Sequence, residues 1–262
     1  MKKSIRVLIA LVALLAGVGI VQAQQVVDPR VADLVRAGQV RIGMFPPHYT
    51  KDAATGERQG WGIDLARALA ARIGVEAKSV EYPGPDKLLE GLNAGACDTG
   101  FLVNNPAWAN LVDFSQPFLQ QDFTFLLPAG SSIRSVADVD RPEVRIAVVR
   151  HHGSTLTLAR ILKHAKMVTA DTLQGAFELL RDGQADAFAS TRPQVLEDSA
   201  RLSGSAVLED RYGVNFSVMA VPKGHAAQLS YINDFIHDAT ASGLVQRAIE
   251  RAGWRGVRVV SP

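Results

Sequence analysis

The stretch LVNNPAWANLVDFSQPF (Leu102–Phe118) holds two adjacent amides, Asn104 and Asn105, and an indole, Trp108, five residues ahead of Asp113. Side-chain amides both donate and accept hydrogen bonds, and an indole offers a flat face, so together they could grip a small polar molecule. The same residues would also suit a packed wall after a strand. A second stretch, RHHGSTLTLARIL (Arg150–Leu162), sets Gly153, Ser154 and Thr155 at the start of a helical pattern, directly after Arg150. Free N–H groups and the dipole at such a start attract an anion. Plain capping by Ser154 or Thr155 explains the same residues. Phe45, Tyr49 and Trp61 are candidates for an aromatic wall or for core.

Other chemistries lack their signatures. The chain has no GxSxG, HExxH, CxxC or GxxxxGK[ST] motif. GWGIDL (Gly60–Leu65) begins like a dinucleotide fingerprint but lacks the third glycine, and a helix entry with Asp64 in its first turn accounts for it. His151 and His152 are adjacent on a loop with no carboxylate or thiol cluster beside them, so neither a metal nor a cofactor is expected. Cys97 is the one cysteine; it cannot form an internal disulfide and reads as a buried, inert thiol.

The elements that must position these residues alternate. VRIGMF (Val40–Phe45) reads as a strand and GIDLARALAARIG (Gly62–Gly74) as a helix with apolar residues at helical spacing. EAKSVEY, PDKLLEGLNAG and CDTGFLV continue strand, helix, strand, which predicts a parallel α/β sheet. The pattern recurs from VRIAVV (Val144–Val149) through ADAFAS. In both halves a helix is followed by Gly, two residues, Asp and an apolar strand, at Gly95/Asp98 and at Gly183/Asp186, which suggests two similar lobes. PFLQQDFTFLLP and YGVNFSVMAVPKG read as extended crossings between them. The expected division is residues 24–117 and 218–262 in lobe 1, 123–212 in lobe 2, and hinges at 118–122 and 213–217. Strand C-terminal ends facing each other across the hinge would surround one cleft.

Of the 262 residues, 47% are hydrophobic and 21% charged, a composition that folds with a sizeable core. Residues 1–23 carry Lys2, Lys3 and Arg6, a short apolar run and a Val-Gln-Ala end, the pattern of a cleaved secretory signal peptide, and the run is shorter than the roughly 20 residues a bilayer span needs. Cleavage removes three of the 28 basic residues and none of the 26 acidic ones, leaving 25 against 26. Such a near-neutral surface argues against nucleic acid as a partner.

RIGMFPPHYTKDAATGERQGWGIDLARALAARIGV, GLNAGACDTGF, VDFSQPF, IAVVRHHGST, LLRDGQADAF and AVPKG occur in the order found in the extracellular solute-binding proteins, family 3, which the chain resembles over residues 39–252. The resemblance implies a two-lobe periplasmic-binding clamshell (type II) that closes on one small ligand and delivers it, as a periplasmic monomer, to the membrane permease of an ABC importer of polar amino acids.

The chain departs from that family where the ligand is held. An Arg that grips the α-carboxylate, after a Thr-rich loop, is replaced by Trp108 after Asn104 and Asn105. An Asp for the α-ammonium is replaced by Thr191, with Arg192 next to it, and the usual Asp in a segment after RIG is missing. A buried charge without its partner is costly, so the expected solute is small and polar or carboxylated rather than a standard α-amino acid. Arg150, Ser154 and Thr155 would hold its anionic end, Asn104 and Asn105 would supply hydrogen bonds, and Trp108 would stack. Mutating Arg150 to Ala should then weaken an anionic ligand strongly. Two other classes stay open. One is a cleft enzyme of the dehydratase type, for which STRPQVLE offers only Gln194 and, later, Glu197. The other is a free sensor protein that docks on a membrane receptor.

Overall fold

The computed structural model describes residues 27–46, 48–52, 54–150 and 152–260; the expected signal peptide and His151 lie outside the described residues. No helix among the described residues is long and apolar enough to cross a membrane. Helix α1 (Ala32–Ala37) leads into strand β1 (Gln39–Met44), then a hairpin of β2 (Thr50–Lys51) and β3 (Arg58–Gln59), helix α2 (Trp61–Ile73), β4 (Glu76–Glu81), α3 (Pro85–Asn93), β5 (Thr99–Val103) and β6 (Val112–Phe114). The long strand β7 (Leu119–Leu127) is followed by β8 (Arg145–Val149), α4 (Gly153–Ile161), β9 (Lys166–Ala170), α5 (Leu173–Arg181), β10 (Ala187–Thr191), α6 (Arg192–Ser199) and β11 (Ala206–Val207). A second long strand, β12 (Gly213–Pro222), precedes α7 (Ala226–Ala241), α8 (Leu244–Arg251) and β13 (Val257–Val259).

The strands run in the order β4-β1-β5-β12-β7-β10-β8-β9. On one side β1 is parallel to both β4 and β5; on the other β8 is parallel to both β9 and β10. Each parallel group ends on an antiparallel long strand, β12 against β5 and β7 against β10. The two long strands pair with each other where the chain crosses, Ser217 opposite Leu119 and Gly213 opposite Phe123. Lobe 1 therefore lies on one side of the crossing and lobe 2 on the other. Strand β13 adds itself to β7 at the same place, Val257 opposite Gln121, giving the hinge a third strand that the sequence reading did not place.

Each lobe is apolar on both faces of its sheet, as parallel strands require. In lobe 1, Ile42, Leu69, Phe235 and Ile249 pack on one face and Leu88, Leu92, Cys97 and Leu102 on the other. In lobe 2, Phe125, Ile146 and Leu158 lie on one face and Phe177, Leu180 and Phe188 on the other.

The paired Gly-x-x-Asp units have the same physical role in both lobes. Asp98 accepts from the Arg41 backbone N–H at 2.7 Å and from its guanidinium at 2.6 Å, while Arg41 also donates to the Gly95 carbonyl. Asp186 accepts from the Arg145 backbone N–H at 2.8 Å and from its guanidinium at 2.8 Å, while Arg145 donates to the Gly183 carbonyl. Each pair ties the start of a lobe's central strand to the turn after its neighbouring helix, a charge-assisted staple.

Candidate functional site

Asn104 and α4 meet the crossing from opposite lobes. The Asn104 backbone N–H donates to the Phe216 carbonyl of β12 at 2.9 Å, and its side chain is exposed. At the other end of the crossing, Gly213 packs so closely on α4 that a Cβ there would stand 2.8 Å from Thr157 Cγ2. Gly213 and Phe216 are three residues apart on one strand, about 10 Å at strand rise. The amide rim of lobe 1 and the helix start of lobe 2 are thus anchored on the same short segment.

The side chains around this crossing are not all free to serve a ligand. Asn105 is half-buried, and its Oδ1 caps the short turn Pro106–Trp108 by accepting from Ala107 N–H at 3.1 Å, which leaves its two amide donors and one acceptor lone pair. Trp108 is half-buried against the lobe 1 cluster that contains Leu88 and Leu102, so part of its ring fills space in the wall. Ser154 is fully buried, with its Oγ 2.7 Å from His152 Nδ1, and the same ring nitrogen caps α4 by accepting from Ser154 N–H. Thr155 Oγ1 donates to the Val149 carbonyl at 2.7 Å, a bond back to the preceding strand that leaves the hydroxyl only as an acceptor.

Four charged or aromatic candidates are engaged elsewhere. Arg150, expected to hold an anion, instead pairs with Asp171 at 2.7 Å on an exposed surface. Arg192 donates to the carbonyls of Leu208 and Glu209 at 3.0 and 2.7 Å, so it ties the start of α6 to the loop before β12. Trp61 is 1% exposed and offers no ring face to a solute. It packs among Phe101, Phe118, His48 and Trp254 in the lobe 1 core. Tyr49 is buried too and donates its phenol to Glu81 at 2.9 Å. Phe45 is half-buried, 4.2 Å between ring centroids from His48. Thr191 is half-buried where β10 enters α6 and makes no side-chain cap bond there.

His48 was not singled out from the sequence, yet it organises lobe 1's edge of the crossing. Its Nδ1 accepts from the Phe45 N–H at 3.3 Å, and burial lowers its pKa to about 3, so the ring is neutral. Its carbonyl accepts from the Gly62 N–H at 2.9 Å. A Cβ on Gly60 or on Gly62 would come within 2.9 Å of that carbonyl oxygen, so GWG is the means by which α2 approaches this backbone. In lobe 2, His152 occupies the matching place between the central strand and the first helix, and burial lowers its pKa as well.

The segment weighed for a dehydratase-type acid is α6, which carries Gln194, Glu197 and Asp198. Gln194 donates to Asp198 at 2.9 Å, and Glu197 is exposed. Asp198, 1% exposed, has its pKa raised by burial and pairs with Arg201, whose guanidinium lies over the Phe177 ring. That carboxylate belongs to the packing between α5 and α6. No group of three or more His, Cys, Asp or Glu side chains that could hold a metal occurs among the described residues.

Two α/β lobes joined by paired crossover strands, with strand ends and a helix start gathered at the crossing, define a two-lobe binding protein. The chain belongs to the bacterial extracellular solute-binding proteins, family 3, whose profile matches residues 40–254. It is 30% identical over 140 residues to the virulence sensor protein BvgS of Bordetella bronchiseptica, a match that takes in 52% of this chain and only 11% of that protein's length. It is 23% identical over 204 residues to the glutamine-binding protein GlnH of an ABC transporter of Bacillus subtilis, covering 74% of this chain and 72% of that one. Among solved structures it resembles the ancestral amino acid-binding protein AncCDT-1, a precursor of cyclohexadienyl dehydratase, with a TM-score of 0.68, 25% identity, and coverage of 86% and 98% of the two chains.

Proposed function

We propose that this protein is the periplasmic receptor of an ABC importer and captures a small polar or carboxylated solute between its lobes without turning it over. The observation that carries the reading is the anchoring of the Asn104 rim and the α4 start on Gly213–Phe216 of one crossover strand. A solute seated there would touch both lobes, so its binding free energy would favour the closed form. The N–H groups at the start of α4 suit a carboxylate, and Asn104 and Asn105 supply amide donors from the facing lobe. The commitment of Arg150 and Arg192 to other partners leaves the helix start, rather than a guanidinium, as the seat for an anion.

Thermal-shift titration of residues 24–262 tests this, with amino acids, aliphatic and aromatic carboxylates, amines and sugars as probes. A solute at 100 times its Kd adds about 2.7 kcal/mol of stability. A carboxylate that raises the melting temperature, and raises it less after Asn104→Ala, supports the reading; shifts by standard α-amino acids alone overturn the rebuilt site. The 30% identity to a virulence sensor favours a second reading, in which the closed form docks on a membrane receptor and reports the solute. Pull-down of a permease or of a sensor kinase by the liganded protein separates the two.

A further inference from the structure

Residues 254–260 touch three parts of the molecule. Trp254 stacks on Trp61 of lobe 1, centroids 5.4 Å apart and planes 12° apart, and Val257 and Val259 pack on the same core. Gly256, at φ 77°, lies against lobe 2: a Cβ there would meet Arg192 Cγ and Leu196 Cδ1 of α6, each at 2.9 Å. The segment then runs antiparallel to the crossover strand β7, and the Val260 N–H closes the ladder on the Phe118 carbonyl at 3.0 Å.

Charge marks the same place. Asp122 of β7 has a side chain only 9% exposed and accepts from Arg258 at 2.6 Å and from Arg211 at 3.1 Å, with Arg192 Nε at 3.6 Å. Arg258 comes from the strap, Arg192 and Arg211 from the lobe 2 side. An open recess of about 510 Å³, lined by Asp122, Val136, Glu209, Asp210, Arg211 and Arg258, lies beside the cluster.

We propose that residues 254–260 are a third hinge element, a strap rooted in lobe 1 that bears on α6 of lobe 2 and, through the Arg258–Asp122 pair, sets how far the lobes stand open in the free protein. Two crossover strands alone permit both bending and twisting. A third strand rooted in one lobe and wedged on the other restricts the twist. When lobe 2 rotates, Arg192 and Arg211 move with it while Arg258 stays with the strap, so the buried carboxylate trades one set of cations against the other. The recess gives the guanidiniums room to do so.

The test needs no ligand. Spin labels at Ala107→Cys on the lobe 1 rim and Ala159→Cys on α4, both exposed positions, report the interlobe distance in the full chain by pulsed electron double resonance. Arg258→Gln, at a side chain 56% exposed, removes the charge without touching the core. It should move the ratio of open to closed forms by about tenfold, and Arg258→Lys should restore most of the parent distribution. Gly256→Ala, which pushes the strap off α6, should move it independently. Raising the salt concentration should shift the parent toward the Arg258→Gln distribution and move that variant, which keeps the Arg211 and Arg192 pairs with Asp122, less. An Arg258→Gln distribution that overlays the parent's, in a protein with unchanged circular dichroism, overturns the proposal.

Discussion

Lobe 1 and lobe 2 use one device to build their sheets and different devices to meet the crossing. The staples Arg41–Asp98 and Arg145–Asp186 match bond for bond, down to the Gly95 and Gly183 carbonyls that accept from each arginine. At the crossing the likeness stops. In lobe 1, β5 runs into a short turn capped by Asn105; in lobe 2, β10 runs straight into α6. The interior pattern has been kept twice and the rim varied, which is how one scaffold can accept a changed ligand without a change of fold.

The comparison can be broken at its staples first. Asp98 is 15% exposed and Asp186 40%. Asp98→Ala leaves a half-buried N–H without its acceptor and a half-buried guanidinium with only the Gly95 carbonyl, and should cost about 2–4 kcal/mol in urea unfolding. Asp186→Ala, better solvated, should cost about 1–2 kcal/mol. Equal losses would mean that burial does not set the difference.

The helix entries give the next effect. Gly62→Ala would force a Cβ to within 2.9 Å of the His48 carbonyl oxygen and should destabilise by about 1–3 kcal/mol. Gly153→Ala, whose Cβ would meet only Phe123 Cζ at 3.6 Å, should be near neutral by the same measurement.

The histidines sharpen the contrast through pH. His48 has a folded pKa of about 3, far below the unfolded value near 6.5, because burial penalises its charged form. Its contribution is fully present above pH 6.5 and is lost as pH falls toward 3, by about 1.4 kcal/mol per pH unit for one proton. His48→Asn, which keeps an acceptor for the Phe45 N–H, should flatten unfolding free energy against pH over that window. His152→Asn, at a half-buried ring, should flatten it less.

The smallest expected effect concerns Arg150. With its guanidinium on Asp171 at the surface, Arg150→Ala should change the affinity for a carboxylate by less than about threefold in calorimetry. A large loss would restore the anion-gripping role that its sequence position suggests.

The sheet was legible because apolar runs of strand length alternate with helical spacing, and the long crossings were legible because each joins an apolar half to a polar one. The strap was not read: three residues of strand after RAGWRG carry too short a pattern to register. The site was legible less far. Nothing local in STRP shows that Arg192 reaches carbonyls 16 and 17 residues on, or in VVRHHG that Arg150 meets Asp171. An aromatic residue reads alike in a wall and in a core, so Trp61 could not be assigned until its neighbours were known. His48 did leave a trace, since GWG lacks side chains on the two positions that face its backbone.

The topology also bears on how the chain comes to be folded. Strand β5 finds its antiparallel neighbour β12 more than a hundred residues further along, Val103 opposite Ser217, whereas β8 through β11 pair only with one another and with β7, within one continuous stretch. As the chain folds, lobe 2 can therefore close first, while lobe 1 waits with the edge of β5 unpaired and open to other chains. Until residues 213–222 join the sheet, that edge and the Leu119–Phe123 edge of β7 both lack a neighbour, and β12 closes the two together.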